Sequence, residues 1–260
     1  MYVFVNGHDL NNLKSDIKFK IMMNRIVIQT LFFLLMVTSV SAQDVATFFS
    51  KSDSFFKEYV VDGKVKYAAV KSNPEALKEA LNSAKGISVS KSNAATYQAF
   101  WINAYNLLVI DGIVNNYPLK SPLDVAGFFD KTKHEIAGKS VTLNGIENDL
   151  LRAQFPAEAR FHFVLVCAGL GCPPIINTAY KPNTIDGQLQ KQTVLALNNP
   201  NFIKVNKNKV QISQLFEWYK GDFEQKGSTV DFINTYRKEQ LPENAKVSYY
   251  PYDWSLNETK

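Results

Sequence analysis

The chain has 260 residues, 46% hydrophobic and 20% charged, with a formal net charge of +5. Four basic and two acidic residues precede position 43, so the remainder carries +3, enough chain for one domain with a real core. The lysines are scattered among acids, without a basic stripe or a nucleic-acid-binding motif, which argues against DNA or RNA as a partner.

The first candidate element is a targeting segment. From Met23 the sequence runs "MNRIVIQTLFFLLMVTSVSAQD". Arg25 supplies a basic start, Ile26 to Val37 an apolar centre, and Val40-Ser41-Ala42 a small-residue cleavage site before Gln43. The apolar run is about a dozen residues, short of the roughly 20 that span a bilayer. These features predict a signal peptide over 23–42 and an exported product, periplasmic or extracellular, with no transmembrane helix once it is removed. Residues 1–22 then read as a spurious or disordered extension, and 43–260 as one globular domain.

Asp44 to Tyr59 has the apolar spacing of an amphipathic helix, and Asp62-Gly63 marks a turn. Asn73-Pro74 opens a second helix, with Asn as cap. Ser92 to Asn116 predicts a long helix that is apolar almost all round, as a central buried helix should be. "HEIAGKSVTL" reads as a hairpin and "TLNGIENDLLRAQF" as a further helix. Phe161 to Cys167 reads as a strand buried on both faces. A helix near 185–198, a second hairpin in "NFIKVNKNKVQIS", short helices and a strand "KVSYY" complete the chain. Helices and hairpins are segregated, which predicts an α+β domain with a mainly antiparallel sheet packed by helices.

The chemistry concentrates in "RFHFVLVCAGLGCPP", Arg160 to Pro174, which holds His162 and both cysteines. Strand alternation would put His162 and Cys167 on opposite faces. Cys172 follows a Gly169-Leu170-Gly171 turn that can redirect it, with backbone N–H groups free to meet an anion. Three uses stay open: a Cys167–Cys172 disulfide, a nucleophilic Cys172 activated by a histidine, and a metal site. The last lacks the paired ligand spacings of zinc, so neither metal nor cofactor is expected. Asn103 and Asn106 share one face of the central helix, where buried amides need partners. They serve as structural ties, or as orienters of a catalytic group. Glu147 and Arg152 pair or extend that network. His134 reads as solvated, and the Trp and Tyr of "LFEWYKGDF" as core.

Taken in order, "AFWINAYNLLVIDGI", "TLNGIENDLLR", "RFHFVLVCAGLGCPP", "QLFEWYKGDF" and "YYPYDWSLN" resemble the domain-of-unknown-function 547 family over roughly residues 97–257. The resemblance implies an exported bacterial member and leaves the chemistry open. Its motif residues fall here on Asn103, Tyr105, Asn106, Glu147, Arg152, His162, Cys172, Pro173, Asp253, Trp254 and Asn257. Family members often carry histidine directly after the motif glutamate, where this chain has Asn148. The Cys-Pro match favours Cys172 over Cys167 as the working thiol. The expectation is therefore a papain-like cysteine hydrolase or acyltransferase, with Cys172, His162 and Asn103 catalytic and Asn106, Glu147, Arg152 and Asp253 supporting. Its substrate would be a peptide, cell-wall or lipid-linked amide or ester. The alternative is a non-catalytic binding or scaffold domain closed by a Cys167–Cys172 disulfide.

Overall fold

The structure, a computed structural model, describes residues 20–25 and 44–259. Two compact units are present, Met1–Asp44 and Val45–Lys260. Within the first, residues 20–25 are helical and exposed. The expected signal segment lies for the most part outside the described residues.

Helix α1 (residues 44–59) leads into a hairpin of β1 (Val60–Val61) and β2 (Lys64–Val65). Asp62 and Gly63 turn between them with φ of 50° and 76°, the left-handed pair that a tight hairpin requires. Helices α2 (Tyr67–Ser72) and α3 (Glu75–Ala84) follow. Asn73 does not cap α3 as expected. It closes α2, with its N–H donating to Ala69, and Pro74 takes the position before α3.

Helix α4 (Ala94–Asn116) is the centre of the domain. Asn93 caps it, accepting from the Thr96 N–H at 3.1 Å. Fifteen of its 23 residues are buried, which is what an apolar girdle all round demands. The hairpin β3 (His134–Ile136) and β4 (Lys139–Val141) precedes α5 (Leu143–Gly145). The same helix then widens into a π-helical stretch, Ile146–Arg152, a geometry often found at functional sites. Helix α6 (Ile185–Leu197) precedes a three-stranded sheet of β5 (Ile203–Asn206), β6 (Lys209–Ser213) and β7 (Lys246–Tyr250). Helices α7 (Leu215–Trp218), α8 (Lys220–Phe223) and α9 (Thr229–Tyr236) lie between β6 and β7 in the chain. Strand β6 pairs antiparallel with β5 and parallel with β7, and the other two sheets are antiparallel hairpins. The fold is α+β.

The stretch 161–167 is not a strand. Residues Ala159–Phe163 form a 3-10 helix, and 165–167 run on without a regular element. An apolar run of this length suits a buried helix turn as well as a buried strand. The reason the extended part needs no neighbouring strand is Asn106. Its amide donates to the Val164 carbonyl at 3.0 Å and accepts from the Val166 N–H at 2.9 Å. One side chain thus satisfies the buried backbone groups that a strand partner would have met.

Two apolar clusters fill the domain. One gathers α1–α4 around Phe48, Phe55, Trp101 and Leu107, and the other gathers β5–β7 and α7–α9 around Phe163, Phe216 and Phe223. Cys172 packs against both. The segment after β7 is stitched across this seam. Gly171 donates to Asp253, Leu170 to Ser255, Asn257 to Ala168 and Val65 to Asn257, at 2.7–3.0 Å.

Candidate active site

A cavity of about 470 Å³ opens at the seam. It is lined by both cysteines, His162, Glu147 and Tyr105, with an apolar wall from α7 and the 252–254 segment. Strand alternation would have separated His162 from Cys167. The 3-10 turn removes that alternation and turns both towards the same space.

Both cysteines are free thiols. Cys172 Sγ accepts from the Cys167 N–H at 3.0 Å and from the Tyr252 hydroxyl at 2.8 Å, and that hydroxyl lies 3.0 Å from Cys167 Sγ. A phenol has one proton, so it donates to one sulfur while its oxygen accepts from the other. Burial opposes charge on either thiol. At Cys167 it is outweighed when that sulfur is the charged one: Cys172, the Tyr252 hydroxyl turned from Cys172, and the Gly169 N–H then donate to it and hold this thiol below the usual range. At Cys172, burial together with the neighbouring Cys167 pushes the thiol well above it. The first proton of the pair thus leaves below the usual thiol range and the second well above it.

The glycine turn does not form an anion nest. Leu170, Gly171 and Cys172 spend their N–H groups on Ser255, Asp253 and Gly169, and the Gly169 N–H goes to Cys167 Sγ. Gly171 is needed for closeness: a Cβ there would stand 2.9 Å from the Asp253 nitrogen and the Tyr252 ring.

His162 is buried, its ring centroid 4.0 Å from that of Tyr219. Its Nε2 donates to Asp222 Oδ2 at 2.7 Å, since a carboxylate only accepts. Nδ1 makes no hydrogen bond among the described residues and is the ring nitrogen left to exchange a proton. Arg152 Nε donates to the same Asp222 oxygen at 2.6 Å, its guanidinium lies 4.7 Å over Tyr219, and it also binds the Asn148 amide. Burial works to raise the Asp222 carboxyl, but the bonds from His162 and Arg152 overcome it and hold it well below the usual carboxylate range. The Tyr219 hydroxyl donates to Glu147, and burial followed by that carboxylate raises its own pKa.

The expected site residues divide. Cys172, His162 and Glu147 line the cavity, and Arg152 supports it through Asp222 and Tyr219. Asn103 lies outside the lining: its amide donates to the Ala99 and Tyr180 carbonyls and accepts from the Tyr180 N–H. Asn106 positions the cysteine-bearing segment from behind. Asp253 is exposed. Its carboxylate accepts only from the Ser255 N–H, while its main-chain carbonyl holds Gly171. His134, read as solvated, is half-buried with a shielded Nε2 that has no partner.

Sequence reasoning missed Asp222, Tyr252, Trp218 and Tyr219 as site residues, and it gave Tyr105 no task. Trp218 is exposed cavity wall rather than core, and Tyr219 lines the cavity while also packing against the second apolar cluster. The Tyr105 side chain is buried, lines the cavity and has no hydrogen-bond partner among the described residues. The signal for these residues was position inside the quoted motifs. Asp222 lies in "EWYKGDF" and Tyr252 in "YYPYDW". Among the described residues no group of three or more His, Cys, Asp or Glu side chains is placed to hold a metal ion, and no helix is long and apolar enough to cross a membrane.

What emerges is an α+β domain with a thiol pair and a carboxylate-oriented histidine on one aromatic-walled cavity. The model of the family described as "Protein of unknown function, DUF547" matches residues 89–195, which supports the resemblance to that family. The match takes in α4, Glu147, Arg152, His162 and both cysteines, while Asp222 and Tyr252 lie beyond it. No curated protein and no solved structure matches the chain.

Proposed function

We propose that the protein is a cysteine-dependent acyl-transfer enzyme, a hydrolase of amides or esters acting outside the cytoplasm. The observation that carries this reading is that the cysteine pair and the Asp222-oriented His162 line one cavity. The thiolate shared by Cys167 and Cys172 attacks the substrate carbonyl and forms a carbon–sulfur bond. As the carbon–nitrogen or carbon–oxygen bond breaks, the leaving group takes a proton from protonated His162. Water then attacks the thioester, gives a proton back to His162 and releases the thiolate with a carboxylic acid. Asp222 fills the orienting role that the sequence suggested for Asn103. With the turn N–H groups spent, the unpartnered Tyr105 hydroxyl is the donor available to a developing oxyanion.

The test compares hydrolysis of an activated ester, p-nitrophenyl butyrate, by the wild type, the Cys167→Ser/Cys172→Ser double variant and His162→Ala. Turnover by the wild type that both variants lose supports the reading, and unchanged turnover in either variant overturns it. Hydrogen bonding between the two cysteines favours a second reading, a disulfide-closed binding domain. That reading expects no alkylation of either cysteine until reductant is added.

A further inference from the structure

Resting on that reading, we infer that the acyl half of the substrate is a neutral apolar group, a hydrocarbon chain whose carbonyl stops at the cysteine pair. An aromatic track leads there. Tyr252, whose hydroxyl touches both sulfurs, has its ring 4.8 Å from Trp254 and 5.1 Å from Trp218, and Phe129 flanks Trp254 at 6.1 Å. The track begins at the thiols and ends in solvent. Trp218 is 47% exposed and Leu123, also on the lining, 54%. Large apolar side chains left open together at the mouth of a cavity mark a surface that a ligand covers.

Charge narrows the class further. No lysine or arginine lines the cavity, and its one carboxylate is Glu147. A substrate bearing a carboxylate or phosphate on this half would lose water without meeting a lysine or arginine, and would face Glu147 and the thiolate, the reacting His162 being the one cation of the lining. A neutral acyl chain meets neither penalty. The acid formed on hydrolysis meets both, which favours its release. A sugar would stack on the tryptophans but needs several polar groups around its ring. Beyond the reacting groups and Tyr105, the polar groups of the walls are the Asn144 amide, the Glu147 carboxylate, the Tyr219 hydroxyl already turned to Glu147, and the two indole N–H groups, few beside the apolar area. The hydrocarbon chain is the better match.

Titration of the full wild-type chain with N-methylacetamide and N-methyldecanamide, read by tryptophan fluorescence, tests the assignment. The long amide should bind about 100-fold tighter or more, because eight additional methylenes leave water. Trp218→Ala, a change at an exposed position, should remove about tenfold of that preference. Equal affinities, or tighter binding of chitobiose than of the long amide, would overturn the inference. Failure of the parent reading looks different. A long amide that binds, together with an unhydrolysed decanoate ester, removes the hydrolase and keeps the apolar site. Ester turnover with no dependence on chain length does the reverse.

Discussion

Tyr252 donates to the sulfur of Cys172 at 2.8 Å across 80 positions of sequence, and the same oxygen stands 3.0 Å from the sulfur of Cys167. A single phenol proton therefore links two thiols. A negative charge on either sulfur would be met by an oxygen that belongs to neither.

Replacing Tyr252 by Phe keeps the ring in the aromatic wall and removes that proton. A thiolate that loses a donor is less stable, so its pKa rises. The pH midpoint for alkylation of the cysteine pair, followed by mass spectrometry from pH 5 to 10, should move upward in Y252F. An unchanged midpoint would mean that the phenol does not carry the charge.

Asp222 makes a prediction about acid. Its folded-state carboxyl lies below the unfolded value of about 3.9. A depressed carboxylate contributes stability that is complete above the unfolded pKa and fades as pH falls through the folded one. The wild type should thus lose Tm below about pH 4 more steeply than Asp222→Asn, whose uncharged amide does not titrate. Parallel Tm curves would refute the coupling. At neutral pH D222N should also lower ester turnover by about 100-fold or more, since a misoriented histidine exchanges protons poorly.

Tyr105 separates catalysis from packing. Its hydroxyl has no partner to lose, so Tyr105→Phe should leave Tm within about 1 °C, as is expected of changes that break no contact. If the hydroxyl receives the oxyanion, kcat should fall by about 100-fold with KM little changed. Unaltered kcat would assign the oxyanion elsewhere, and Asn144 would be the next residue to vary.

Export is tested at the N-terminus. Expression of the full reading frame in a Gram-negative host, followed by intact-mass analysis of the periplasmic fraction, should give a product beginning at Gln43. A product that stays cytoplasmic with Met1 or Met23 in place contradicts the reading of 23–42.

Much of the framework was legible in the sequence because it follows from local rules. The Asp62-Gly63 turn, the largely apolar α4 and the hairpin around Lys207 each depend on residues within a few positions of one another. The Phe161–Cys167 stretch was misread because its backbone is satisfied by the side chain of Asn106, some 60 positions earlier. No local pattern can register such a partner. The site divided the same way. Cysteines and histidine stand out by type, whereas an aspartate or a tyrosine in a motif becomes informative only when folding brings it to them. Asp222 reaches His162 from 60 positions away, and Tyr252 reaches Cys172 from 80. Asn103 stood out for the same reason as Asn106, a polar residue in an apolar helix, but its hydrogen bonds are used on the Tyr180 backbone.

The close seat of Tyr252 and Asp253 against Gly171 also sets an order of events during synthesis. Both thiols and His162 leave the ribosome long before residue 252 does. Until that residue docks, the sulfurs lack the phenol that bridges them and the cavity lacks one wall. A nascent chain thus carries its cysteines unactivated, and a chain nicked ahead of the docking segment would return to that state. The thiol site is therefore the last part of the domain to be assembled.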